Sequence, residues 1–129
     1  MNLFLDDIRD PYDKTWIVVR DYKAFVKFID ENGMPDIVSL DHDLSMEHYF
    51  EYIEGEGDPN RPVPYTTYNE KTGLDCARYL LRVIDKQGVP PPLIIIHSLN
   101  PVGAMNIANE LRGHCRFIID PYRPCSSNE

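Results

Sequence analysis

The chain has 129 residues, 43% of them hydrophobic and 26% charged, which is enough for one domain (1–129) with a core that needs neither disulfides nor structural zinc. Its formal net charge of −8 argues against duplex DNA, nonspecific nucleic-acid binding and anionic membrane surfaces. Cys76, Cys115 and Cys125 are odd in number and form no C-x-x-C pair, so the chain reads as a cytoplasmic protein without a disulfide framework.

The first residues go straight into an apolar strand, Asn2 to Leu5, without the basic start of a signal peptide. Asp6 to Lys14 is a polar loop, and Trp16 to Val19 is a second strand. Asp21 is placed to cap a helix from Tyr22 to about Glu31, in which Tyr22, Phe25, Val26 and Ile29 repeat at helical spacing. Asn32-Gly33 ends that helix and Pro35 leads into the strand Asp36 to Leu40. Residues 45–71 are the least regular part, rich in Gly, Pro and Tyr, with a turn or two of helix over Met46 to Ile53. A loop this long is uncommon inside a domain, and its aromatics argue against disorder. It is either a flap over a site or a packed surface loop covering a sheet edge. Thr72 and Asp75 form a capping box for a helix that runs to Gly88. Leu93 to Ile96 is a buried strand, Asn100 with Pro101 opens a helix ending near Gly113, and Arg116 to Ile119 is the last strand.

This alternation predicts an α/β fold whose mainly parallel sheet has helices on both faces. Three strands end in polar side chains: Asp6-Asp7, Asp41-His42-Asp43 and His97-Ser98. Right-handed crossovers bring these ends to one rim, where open α/β sheets bind ligands. Asp6 and Asp7 either cap a turn or join Asp41 in holding Mg²⁺ or Mn²⁺. Asp41 and Asp43 are catalytic candidates. His42 points away from both if the strand continues, as a surface histidine or a substrate contact. His97 is either a proton donor or metal ligand, or a core histidine satisfied by the backbone. Ser98 and Asn100, before a helix N-terminus, are placed to hold phosphoryl oxygens, although Asn100 also suits a plain cap. Arg9, Arg61 and Arg123 are the loop cations that could face the rim, Arg9 as a substrate contact. Glycine-rich phosphate loops and a G-x-S-x-G elbow are absent.

The Asp pair after strand one, Asp41 after strand three and Ser98 after strand four resemble the receiver domain of bacterial response regulators. That resemblance implies a doubly wound five-stranded sheet in the order 2-1-3-4-5, interrupted by the 45–71 insertion. Receivers carry Lys-Pro after the last strand, whereas Asp120-Pro121 stands here. The L-D-D-x-R-x-P start (Leu5 to Pro11), the L-D-H-D-L centre (Leu40 to Leu44) and the I-H-S-x-N-P motif (Ile96 to Pro101) are similar to a divergent receiver-like family. That family is associated with prokaryotic conflict and RNA-repair systems and with cyclic-phosphate processing. The resemblance implies a Mg²⁺- or Mn²⁺-dependent phosphoesterase acting on a cyclic phosphate, such as a nucleotide or an RNA 2′,3′-cyclic end. In that reading Asp6, Asp7 and Asp41 hold the metal and Asp43 orients a water. His97 protonates the leaving oxygen, Ser98 and Asn100 hold the phosphoryl group, and tyrosines of the insertion stack on a base. The alternatives are a non-catalytic module that binds a phosphoryl ligand or a partner protein, and an enzyme phosphorylated on Asp41.

Overall fold

The computed structural model describes residues 1–54, 62–122 and 125–126, so Arg61 and Arg123 lie outside the described residues. In chain order the elements are β1 (Asn2–Leu5), β2 (Asp10–Pro11), β3 (Trp16–Val19), α1 (Tyr22–Asn32), β4 (Ile37–Leu40) and α2 (Met46–Glu54). After a 3₁₀ turn at Tyr65–Thr67 come α3 (Gly73–Gln87), β5 (Leu93–Ile96), α4 (Pro101–Leu111), β6 (Phe117–Ile119) and β7 (Cys125–Ser126). The helix starts follow local chemistry. The Asp21 carboxylate accepts from the Ala24 amide, Thr72 and Asp75 close a capping box, and Asn100 accepts from the Gly103 amide ahead of Pro101. Gly33 and Gly88, both at positive φ, end α1 and α3. Among the described residues no helix is long and apolar enough to cross a membrane.

Five strands form one parallel sheet in the order β3-β1-β4-β5-β6. Counted among themselves these are the second, first, third, fourth and fifth strands, as expected. The covering of the sheet differs from the expectation. Leu3, Leu5, Val38, Leu40, Ile94 and Ile96 share one core with Phe25 and Ile29 of α1, Leu74, Ala77 and Leu80 of α3, and Ile107 and Leu111 of α4. All three helices therefore pack on one face. The crossovers from β3 to β6 all step in the same direction, and a constant hand then keeps their helices on one side. The step that reverses, from β1 to β3, is made by a loop containing β2. Its antiparallel partner is β7, so the polar loop and the tail each contain a short strand that the sequence pattern missed.

The 45–71 insertion is pinned at its base. The buried His48 accepts from the Leu44 amide at Nδ1 (2.8 Å), and its Nε2–H donates to the Glu70 carbonyl (2.9 Å). Glu47 accepts from the Asn69 and Glu70 amides. Both ends of the insertion are thereby held together beside the end of β4.

Gly73 sets the distance between α3 and that strand end. Its amide donates to the His42 carbonyl (2.8 Å), and a β-carbon at Gly73 would lie 1.8 Å from the Asp41 carbonyl oxygen. Backbone on both sides leaves little room to yield, so Gly73→Ala should cost about 3 kcal/mol, read as a lower urea midpoint at unchanged m.

Candidate active site at the strand ends

Side chains alternate across a strand, and this rule sorts the polar strand ends into two layers. Phe4, Asp6, Ser39 and His97 meet on the face without helices. The His97 ring stacks on Phe4 at 4.6 Å and 2°. Its Nε2–H donates to Asp6 Oδ2 (3.0 Å), and its Nδ1 accepts from the Ser39 hydroxyl (2.6 Å); this tautomer follows because a carboxylate can only accept. Asp6 is saturated: Oδ1 accepts from the Ile8 and Arg9 amides, and Oδ2 from Arg9 Nε as well as His97. Burial works to raise the Asp6 pKa, but the His97 bond and the two amides outweigh it and hold it below the usual range. Burial holds the His97 pKa down despite Asp6, so the ion pair resolves as a carboxylate beside a neutral imidazole. His97, expected as a proton donor to substrate or a metal ligand, is instead fully buried with both ring nitrogens engaged.

Arg9 completes this knot. Its Nη1 donates to the Pro121 carbonyl (2.8 Å) and its Nη2 to the His97 carbonyl (2.6 Å), while Nη2 also lies 3.9 Å from Asp41 Oδ1. A cation thus stands beside Asp41 from the first loop, in a chain with aspartate where receivers have lysine. Cys125, delivered by β7, brings its sulfur within 4.8 Å of ligand atoms of Asp6 and His97. Burial pushes that thiol up to about 12, which keeps it protonated at neutral pH in the metal-free protein.

His42 turns to the opposite, helical layer. The expectation of a surface histidine or substrate contact is corrected: the ring is fully buried, because α4 and the insertion cover that side. Its Nδ1–H donates to Asp43 Oδ1 (2.7 Å) and its Nε2 accepts from the Tyr65 hydroxyl (2.8 Å). Gly103 of α4 makes room for it, since a β-carbon there would sit 2.3 Å from His42 Cγ. Asn100 caps α4 with its oxygen and donates from Nδ2 to the same Asp43 Oδ1 (3.3 Å). Ser98 is buried in a local turn, where its hydroxyl accepts from the Asn100 amide (3.1 Å). The pocket of Ser98 and Asn100 expected to hold phosphoryl oxygens is therefore spent on holding the chain and Asp43.

A small opening beside these two layers defines the site, and Asp41 and Asp43 stay almost wholly buried at it. Asp41, Asp43, Arg9, Ile8, Met46, Tyr49, Phe50 and Leu99 line a cavity of about 350 Å³. Asp6, Asp7 and Asp41 bring carboxylate oxygens within 4.8 Å of one another. Burial, then Asp6, raise the Asp41 pKa well above the ordinary value despite Arg9. Burial also lifts Asp7 to about 6, although its carboxylate accepts from the Tyr49 hydroxyl (3.0 Å). Crowded, buried carboxylates that resist ionising are relieved by a hard cation, and oxygen donors suit Mg²⁺ or Mn²⁺. With all four acceptor positions of Asp6 taken, Asp7 and Asp41 are the residues most open to such an ion. Two tyrosines of the insertion are engaged within the protein: Tyr65 bonds His42 and Asn106, and Tyr68 packs on His48, whereas Tyr49 lines the cavity.

A parallel α/β domain with an acidic cluster at its strand ends, laid out in receiver order, defines the class: a receiver-like domain. A family model described as the cyclic-phosphate processing receiver domain matches residues 1–113, and the chain belongs to that family. No curated protein and no solved structure matches it.

The raised Asp7 pKa gives a signed prediction. A carboxyl with a folded pKa of about 6 against 3.8 adds stability that is complete below 3.8 and lost as pH rises through 6. Metal-free protein should therefore lose about 1 kcal/mol from this group between pH 4 and 7, the full shift being reduced by its half exposure. Thermal melts should show the loss in wild type, less of it in Asp7→Asn, and its recovery at pH 7 with Mn²⁺.

Proposed function

We propose that this domain is a Mg²⁺- or Mn²⁺-dependent phosphoesterase that opens a cyclic phosphate, such as a nucleotide or RNA 2′,3′-cyclic end. The observation that carries this reading is a metal-suited acidic cluster whose Asp41 shares a cavity wall with Asp43, a carboxylate aligned by two donors. A cation held by Asp7 and Asp41, with Asp6 behind them, would polarise the phosphoryl group and lower the pKa of a bound water. Asp43 takes a proton from the attacking water as its oxygen bonds to phosphorus. The bond from phosphorus to one ribose oxygen breaks, and Asp43 returns the proton to that oxygen. His42 and Asn100 are positioning residues that fix Asp43 Oδ1 and leave its second oxygen for this work. His97 is a positioning residue for Asp6 and Arg9. Arg9 offsets negative charge beside Asp41.

Adenosine 2′,3′-cyclic monophosphate followed by phosphorus NMR, with Mn²⁺ or with EDTA, tests this. Metal-dependent opening is expected, and the 2′- or 3′-phosphate product identifies the bond that breaks. Asp43→Asn should lower kcat by about 10²–10³-fold while Mn²⁺ affinity, read by calorimetry, changes little. His97→Ala should instead weaken Mn²⁺ binding. If Mn²⁺ binds wild type but no member of a panel of cyclic phosphates opens, the site belongs to a non-catalytic phosphoryl-binding module.

A further inference from the structure

The acidic floor of the cavity has an apolar rim. Ile8, Met46, Phe50 and Leu99 are each more than half exposed, and all four line the cavity that holds Asp41 and Asp43. They come from three separate parts of the chain: the loop after β1, the first half of α2, and the turn between β5 and α4. Four large apolar side chains converging on one opening are more than scattered surface residues require. A phosphate alone has no use for them, because its oxygens prefer water or ions. A ligand that spans floor and rim must carry a charged end and a flat or apolar end.

We infer that this rim seats a single nucleobase attached to the phosphate, so that the domain selects a base-bearing terminal nucleotide over a bare sugar cyclic phosphate. This rests on the cyclic-phosphate reading of the acidic floor. The cavity, about 350 Å³, is at the small end of ligand pockets and suits one nucleotide rather than several. The net charge of −8 opposes a longer polyanion, and Arg9, the one cation among the described residues lining the cavity, gives three of its five N–H donors to the protein. Phe50 supplies the aromatic face, and Ile8, Met46 and Leu99 supply apolar edges. Recognition by stacking is tolerant of base identity because every base has a π-face.

Calorimetry on the Mn²⁺-loaded, metal-retaining Asp43→Asn protein tests this with two probes: adenosine 2′,3′-cyclic monophosphate and 1-O-methylribose 2,3-cyclic phosphate. The nucleotide should bind about tenfold more tightly, and extending it at the 5′ side to a trinucleotide should add less than threefold. Phe50→Ala and Leu99→Ser, both at exposed positions, should each reduce the ratio between the two probes toward one. Equal binding of the probes by the parent protein would overturn the nucleobase inference and leave the cyclic-phosphate reading standing. A large gain from the trinucleotide would overturn the limit to one nucleotide. Binding of Mn²⁺ with neither probe bound would overturn both. A rim closed by a second copy, seen as a dimer that Phe50→Ala dissociates, would also overturn the inference.

Discussion

One carboxylate holds the working end of this sheet in shape. Asp6 accepts from two backbone amides of its own loop, from a guanidinium and from an imidazole, and each donor belongs to something that must be placed. The amides curl the chain back at the end of β1. The guanidinium of Arg9 then reaches the carbonyls after β5 and β6, and the imidazole of His97 locks the end of β5 against Phe4 and Ser39. Removing the acceptor would leave buried donors unsatisfied on two sides, a costlier event than losing one bond. The most conspicuous acid of the first motif thus spends its bonding capacity on architecture, and Asp7, Asp41 and Asp43 keep capacity to spare, the last two almost wholly buried beside the cavity.

A second device mirrors it across the sheet. On the helical side His42 and Asn100 converge on one oxygen of Asp43, and His42 is itself held by Tyr65 and by contact with Gly103. The two histidines that flank the site are therefore both buried spacers under the carboxylates. Each fixes an acid from behind, which is how a rigid site is built from flexible side chains. The insertion takes part through its inner residues: Tyr65 braces His42, Tyr49 braces Asp7, and His48 closes the base of the loop.

Much of this was legible in the sequence. Strand runs bounded by Pro and Gly, and caps at Asp21, Thr72 and Asn100, are local signals whose physics operates within four residues. The strand order followed from handedness, and it correctly gathered Asp6, Asp7, Asp41 and Asp43 at one rim. The orientation of the histidines was not legible. Alternation told that His42 faces away from Asp41, but not that α4 would be waiting on that side. Sequence leaves His97 open between a reagent and a core histidine because its partners, Asp6 and Ser39, are 91 and 58 residues away. His48 and Cys125 went unnoticed for the same reason, having no neighbour in sequence that announces a role. The pairing of β2 with β7 rests on two residues a side, too short for any periodic pattern.

That small pairing has a consequence in time. The loop bearing Arg9 is held by Pro121 and by the pairing of β2 with β7, and the Arg9 bond to Pro121 spans 112 positions of the chain. Contacts of such separation are entropically late in folding, whereas those between α3, α4 and their strands span shorter stretches of chain. The hydrophobic body can therefore form while the acidic end is still open. As the chain leaves the ribosome, the Arg9 bond to Pro121 can close only once that proline has emerged. The brace beside Asp41 is among the last pieces that the chain can set.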